Sequence, residues 1–245
     1  MLRQMKDCFA RCFPRLHARL GGGRPSYPGC PDAEFYRPLF SPWLGYGGFA
    51  DLAARIAPHS LVSADRLWVL HSLARQALEL PGNFWECGVY KGGTAKMLAE
   101  LLAGEPAEGR QLRLFDTFDG MPETDPDKDL HRRGDFSDTS LAAVKKTVGE
   151  GDHVGFYPGF IPETFVGLQD ERIAFAHVDV DIYQSVMDCC SFIHPRLVPA
   201  GIMIFDDYGF PTCPGARAAV DAFFADKGEV PLVLPTGQAV VIKLP

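Results

Sequence analysis

Four acidic residues or pairs stand where an apolar stretch of this chain gives out, and such a set could hold an organic cofactor beside a divalent cation. The first stretch is Phe84-Trp85-Glu86-Cys87-Gly88-Val89-Tyr90-Lys91-Gly92-Gly93-Thr94, which passes through a carboxylate into a glycine turn and then a helical pattern. Next comes Arg113-Leu114-Phe115-Asp116-Thr117-Phe118-Asp119-Gly120. Then follow His177-Val178-Asp179-Val180-Asp181-Ile182-Tyr183 and Ile204-Phe205-Asp206-Asp207-Tyr208. On one parallel sheet these ends would open into one cleft, because ligands bind beyond the carboxyl ends of parallel strands, where helix N-termini present free N–H groups.

The first two ends read as a cofactor cradle. Gly88, Gly92 and Gly93 supply a tight turn, but the run is not GxGxxG, and Glu86 sits where a dinucleotide's pyrophosphate would need to approach. A cofactor with an ammonium group and no phosphate suits that carboxylate better. Asp116 is placed to accept the two hydroxyls of an adenosine ribose, a role shared with dinucleotide enzymes. Together the pair favours S-adenosyl-L-methionine over NAD. Helix capping or turn formation is the alternative for each residue taken singly.

The other two ends read as a metal site. Asp179, Asp206 and Asp207 arrive from neighbouring strand ends, and a hard dication such as Mg²⁺ is bound by a few such oxygens with positions left for substrate or water. Without a cation the like charges would repel. Asp207 or Asp181 could instead cap the following helix; for Asp181 that alternative stands beside a catalytic one. His177, two residues before Asp179, faces the same side of its strand and reads as a buried, hydrogen-bonded histidine. No spacing singles out His131 or His153.

Short apolar segments alternating with helical ones must position these residues. Strands are expected near Asn83–Val89, Gln111–Asp116, His153–Tyr157, Ile173–Asp179, Gly201–Phe205, Val230–Leu234 and Ala239–Lys243. Helices are expected near Thr94–Ala103, Thr139–Val148, Tyr183–His194 and Gly215–Ala225. An earlier one runs between Ser63, its N-cap, and Leu80, with Leu67, Leu70, Leu73, Ala74, Ala77 and Leu78 on its apolar face. This alternation marks a mostly parallel sheet covered on both faces. The last two strands flank Pro235-Thr236-Gly237 and suggest a hairpin. The fold class is α/β: a Rossmann-like, seven-stranded sheet with a C-terminal antiparallel hairpin, as in class I methyltransferases.

Residues 49–245 should form that domain, preceded by an extension over residues 1–48. Arg3, Lys6, Arg11, Arg15 and Arg19 alternate with Leu2, Met5, Phe9, Phe13 and Leu16, a pattern open to peripheral membrane contact through residues 1–20. A terminal arm packed locally is the simpler reading, since Pro14 interrupts a continuous helix. Gly21-Gly22-Gly23, several prolines and the aromatics Tyr27 to Tyr46 follow as an irregular wrap. The formal charge of −7 over 245 residues argues against a nucleic-acid partner. Seven cysteines without a CxxC pair read as reduced thiols of a cytoplasmic protein, and Cys8 and Cys12 sit one helical turn apart. No apolar run approaches the roughly 20 residues of a membrane span. A secretory signal is not expected either. The sequence leaves the assembly state open, a homo-oligomer included.

Glu86–Gly93, Phe115–Pro122, Gly134-Asp135-Phe136-Ser137, Phe160-Ile161-Pro162-Glu163-Thr164-Phe165 and the two Asp clusters, in this order, resemble the macrocin O-methyltransferase (TylF-type) family over roughly residues 49 to 244. Members of that family methylate sugar hydroxyls with S-adenosyl-L-methionine. The resemblance implies that Glu86, Gly88, Tyr90, Gly92 and Thr94 surround the methionine end of the cofactor. It implies that Asp116, with Phe118 beside it, serves the ribose, and that Ser137 and Phe160 lie near the adenine. Leu61 and Ser63 would belong to a segment closing over the cofactor, and Met121–Asp138 to a mobile loop near the substrate. Asp179, Asp206 and Asp207 would hold Mg²⁺ or another divalent cation, and Asp181 would be the general base. The implied reaction is in-line methyl transfer to a hydroxyl whose pKa the cation lowers. A small-molecule or glycoside acceptor is expected. The rivals are a catechol-type enzyme acting on an aromatic diol, a nicotinamide oxidoreductase and a non-catalytic S-adenosylmethionine-binding module.

Overall fold

A computed structural model of the chain describes residues 40–104 and 109–245. The basic arm of residues 1–20, most of the aromatic-rich wrap, and Cys8, Cys12 and Cys30 lie outside the described residues. Pro42–Pro245 form one unit. Its strands are β1 Asn83–Cys87, β2 Leu112–Asp116, β3 Val154–Pro158, β4 Ile173–Val178, β5 Leu197–Phe205, β6 Leu232–Val233 and β7 Ala239–Ile242. Its α-helices are α1 Phe49–Ile56, α2 Ala64–Ala77, α3 Gly93–Ala103, α4 Leu141–Val148, α5 Tyr183–Ile193 and α6 Pro214–Phe224.

The strands form one sheet in the order β3-β2-β1-β4-β5-β7-β6. β1 to β5 pair in parallel, while β7 runs antiparallel to both β5 and β6, which is the expected Rossmann-like sheet with its closing hairpin. β4 is buried at all of its positions, as a central parallel strand covered on both faces must be. Alternate side chains feed two cores. Phe84, Leu112, Leu114 and Phe175 pack toward α1, α2 and α3, whereas Trp85, Phe115, Met203 and Phe205 pack toward α5 and α6. The period of two along each strand produces this division.

Two elements depart from the sequence reading. α1 was not anticipated; it buries Phe49 and Ile56 and sets Phe49 edge-on to Trp68 with centroids 4.9 Å apart. β5 begins four residues before the expected Gly201, because Val198-Pro199-Ala200 reads locally as a turn. In the structure these residues form an irregularity: Leu197 pairs with Ile173 and Ile202 with Phe175, while Ala200 takes φ +65°. Proline is tolerated in a sheet at such a bulge. α2 stops at Ala77, short of Leu80, and begins after Ser63 as expected. Among the described residues no helix is long and apolar enough to cross a membrane.

All five parallel strands deliver their carboxyl ends to one side of the sheet. The chain order reverses between β1 and β4, and the loops diverging there leave a crevice.

Candidate active site

The floor of the crevice depends on the lack of a side chain at Gly88. It has φ +86°, and a Cβ there would lie 1.7 Å from the Asp179 carbonyl oxygen. Only glycine lets the end of β1 touch the end of β4 this closely. Gly92, at φ +83°, is the N-cap of α3. A Cβ on Gly93 would stand 2.6 Å from Ser60 Cβ and 2.7 Å from the His59 carbonyl, so the segment 59–62 rests on the start of α3.

Asp116 organises the turn above this floor. Its Oδ2 accepts from the backbone N–H groups of Val89 at 2.6 Å and Tyr90 at 2.9 Å, and its Oδ1 accepts from Phe118 N at 2.7 Å. Those bonds hold Tyr90 at φ +51° and Phe118 at φ +55°, backbone conformations uncommon outside glycine. The turn-forming alternative for Asp116 is therefore realised, and the carboxylate also lines the crevice.

The crevice encloses about 300 Å³. Of the residues singled out from sequence, Leu61, Gly88, Tyr90, Thr94, Asp116, Phe160, Asp179, Asp181 and Asp207 line it. Ser63, Glu86, Gly92, Phe118, Ser137 and Asp206 do not. Ser63 donates to Asp65 Oδ1 at 2.5 Å, Phe118 is buried in the core, and Ser137 lies exposed beside Gly120. Leu61 and Phe160 are exposed apolar residues on the cavity wall.

Behind the wall lies a dry ionic cluster. His177 is wholly buried; its Nδ1 lies 2.8 Å from Glu86 Oε1 and its Nε2 3.5 Å from Asp206 Oδ1. Burial would lower the imidazole pKa, but the carboxylates of Asp206 and Glu86 outweigh it and hold His177 well above its ordinary value. Asp206 also accepts from Gln238 Nε2 at 2.8 Å and from the Arg66 guanidinium. Against burial, His177 and Arg66 keep the Asp206 carboxyl below its usual value. Arg66 further donates to the Leu61 carbonyl at 2.9 Å and stacks over Phe210, tying the segment over the crevice to the cluster.

Asp179 and Asp207 behave in the opposite way. Burial, reinforced by the charge of Asp206 on Asp179 and of Asp181 on Asp207, pushes both carboxyls well up. Among the described residues the Asp179 carboxylate accepts no hydrogen bond, and Glu86 Oε2 and His177 Nε2 are buried without a hydrogen-bond partner. His177, Asp179 and Asp206 each offer a donor atom within 4.8 Å of the others. Asp207, expected as the third ligand, falls outside that group, and Asp206 is already paired with Arg66, Gln238 and His177. Asp179 and Asp207 are the crowded carboxylates at the crevice, and the charge of a hard divalent cation would relieve their repulsion.

Asp181 projects beyond this cluster with φ +58°. Its N–H donates to Asp207 Oδ2 at 3.0 Å. Asp181 does not cap α5, whose N-cap is Ile182 and whose first N–H, that of Tyr183, bonds at 2.8 Å to Asp129 Oδ1; nor does Asp207 cap α6, whose N-cap is Cys213. Asp129 is buried and anchors the segment 121–138, which the sequence reading took for a mobile loop. A Cβ on Gly215 would fall 2.0 Å from the same oxygen. That segment also carries His131 to the crevice, where it meets Cys213 and Asp181. Sequence reasoning passed over Arg66, Asp129, His131, Cys213 and Gln238, which carry no local motif and reach these partners across 32 to 172 residues of chain.

The seven-stranded sheet, parallel but for its closing hairpin, is the Rossmann-like fold of the class I methyltransferases, enzymes that take a methyl group from S-adenosyl-L-methionine. Within that class the chain belongs to the macrocin-O-methyltransferase (TylF) family, whose sequence model matches residues 52–233. It is 31% identical over 170 residues to the mycinamicin III 3''-O-methyltransferase of Micromonospora griseorubida, covering 63% of this chain and 67% of that one. It is 30% identical over 171 residues to the 8-demethyl-8-(2,3-dimethoxy-alpha-L-rhamnosyl)-tetracenomycin-C 4'-O-methyltransferase of Streptomyces olivaceus, covering 64% and 66%. The chain thus spans about two thirds of the length of these relatives. Its fold is similar to the structure of the O-methyltransferase NovP, with a TM-score of 0.70 and 24% identity over 76% of this chain and 83% of that one.

Proposed function

We propose that this chain is a divalent-cation-dependent enzyme that methylates a hydroxyl of a sugar or a glycosylated small molecule, with Asp181 taking the hydroxyl proton. The observation that carries the reading is the placement of Asp179, Asp181 and Asp207 on the wall of the same crevice that Gly88, Thr94 and Asp116 enter. A non-glycine residue at φ +58° costs about 1–3 kcal/mol and persists only when its surroundings enforce it. Here the Asp207 carboxylate does so through the Asp181 N–H. The sugar acceptor is supported by relatives named for 3''-O-methylation of mycinamicin III and for 4'-O-methylation of a rhamnosyl-bearing tetracenomycin C.

In this reading Glu86, Gly88, Tyr90, Gly92 and Thr94 shape the methionine end of the donor site. Asp116 shapes the ribose end and Phe160 the adenine end, and Leu61 belongs to the segment closing over it, whereas Phe118, Ser137 and Ser63 stand outside the crevice and act at most through the backbone that carries these residues. Asp179, Asp206 and Asp207 would hold the cation, which when bound polarises the acceptor oxygen as a Lewis acid. Asp181 Oδ1 faces Cys213 and His131, leaving Oδ2 for the acceptor's proton. Holding donor and acceptor in register in the crevice can supply several kcal/mol.

The test begins with the metal-stripped full chain, titrated calorimetrically with S-adenosyl-L-methionine and then with Mg²⁺, followed by turnover on a panel of glycosides. Asp181→Asn should bind the donor as the parent does while kcat falls about 10²–10⁴-fold. Asp179→Asn should lose cation binding and turnover together. Full turnover of metal-stripped protein, or of Asp181→Asn, would overturn the assignment.

A further inference from the structure

We propose that His131, Cys213 and Asp181 form a second metal site, selective for a borderline or soft divalent ion of the zinc class, on the wall of the crevice. His131 Nε2 lies 3.6 Å from Cys213 Sγ and 3.6 Å from Asp181 Oδ1, and Cys213 Sγ lies 3.4 Å from that same oxygen. Bonds of about 2.0 Å to nitrogen and oxygen and about 2.3 Å to sulfur, at tetrahedral angles, put donors roughly 3.3–3.6 Å apart. The three atoms already stand at about that spacing, and all three residues line the cavity.

A second observation supports the same occupant. A metal-ligating histidine characteristically gives its other ring N–H to a carboxylate, which fixes the tautomer. His131 Nδ1 lies 3.2 Å from Asp135 Oδ2, and that oxygen is itself held by the Arg132 N–H at 3.0 Å. With an ion bound, Asp135 would keep the proton on Nδ1 and free Nε2, which faces Cys213 and Asp181, to ligate. Donor chemistry separates this site from the carboxylates behind it: one sulfur and one imidazole select a zinc-like ion, whereas oxygen-only sites suit Mg²⁺.

Burial, with the charge of Asp207, pushes the Cys213 thiol up, so without an ion it keeps its proton. Binding therefore exchanges that proton for the metal: the S–H bond breaks, a sulfur–metal bond forms, and one proton leaves to solvent. An ion there would join the 121–138 segment, the end of β4 and the start of α6, and would occupy Asp181. That it would slow methyl transfer rests on the reading of Asp181 as base; the site itself does not.

The test reads the site without turnover. The reduced, metal-stripped full chain is titrated with Co²⁺ in excess Mg²⁺. A near-ultraviolet sulfur-to-cobalt band and visible bands of a tetrahedral ion should appear at one ion per chain, and Zn²⁺ should abolish them. Cys213→Ser, with an unchanged circular dichroism spectrum, should lose the sulfur band. His131→Gln and Asp135→Asn should each weaken cobalt affinity about tenfold or more. Absence of the sulfur band in the parent, its persistence at full intensity in Cys213→Ser, or unchanged affinity in His131→Gln would overturn the proposal.

Discussion

Gly88→Ala tests whether the crevice is built on contact between two strand ends. The new methyl carbon would lie 1.7 Å from the Asp179 carbonyl oxygen, half the distance of about 3.4 Å at which ordinary contact begins. Backbone has to move, because the atom it meets is main chain. The Asp179 N–H bond to the Cys87 carbonyl, 2.8 Å long, runs across the same junction and would stretch with it. Overpacking costs about 1–3 kcal/mol and occasionally more. Alanine at φ +86° adds about 1–2 kcal/mol of left-handed strain. Together the loss should reach about 2–5 kcal/mol, or roughly 4–20 °C in Tm for a domain of this size. Gly167→Ala separates the two causes, since Gly167 has φ +88° with nothing within 4 Å of its would-be Cβ. It should show the strain alone, about 1–2 kcal/mol. Thermal unfolding of both variants and calorimetric titration of Gly88→Ala with S-adenosyl-L-methionine provide the assay. If Gly88→Ala melted within 2 °C of Gly167→Ala, the close approach of β1 to β4 would be refuted as the basis of the site.

Arg66→Met should cost about 3 kcal/mol in urea unfolding, the low end for a broken buried pair, because His177 remains beside Asp206. Adding Asp206→Asn to it should recover much of that loss. Asp129→Ala leaves the N–H groups of Tyr183 and Asp125 without their acceptor, which should cost about 1–3 kcal/mol and open residues 121–138 to limited proteolysis. Glu229 is held down to about 2: burial would raise it, but backbone N–H groups and the Lys243 ammonium outweigh that. A depressed carboxyl contributes stability above its ordinary value of 4.5 and loses it as pH falls through about 2. Glu229→Gln should therefore be less stable than the parent at pH 7, with the gap closing toward pH 2 in parallel melting curves.

Local chemistry determined much of this protein from sequence alone. Short apolar runs, each opening on an acidic residue at or near its end, announced β1, β2, β4 and β5. The glycine turn announced the start of α3, and Pro235-Thr236-Gly237 the closing hairpin. These signals are legible because each is satisfied within a few residues: a strand needs its apolar run, a turn its glycine, a helix its cap. The motifs in order also placed the chain in its family.

What the tertiary structure alone decided are the partnerships. Asp116 reads as a ribose ligand in sequence, yet its oxygens also organise the backbone of residues 89, 90 and 118. Asp206 reads as one of three equivalent ligands, yet Arg66, Gln238 and His177 hold it behind the cavity wall while Asp179 and Asp207 face it. His131 has no informative spacing, and Cys213 reads as one of several reduced thiols; the fold brings them together from positions 82 residues apart. α1 and the first residues of β5 escaped for the same reason, since a short helix and a proline-bearing bulge are stabilised by the surfaces they meet rather than by their own pattern. Spacing along a chain encodes which residues share a face. Which faces meet, and so which charges are paired, buried or left open to a ligand, depends on packing across the sheet.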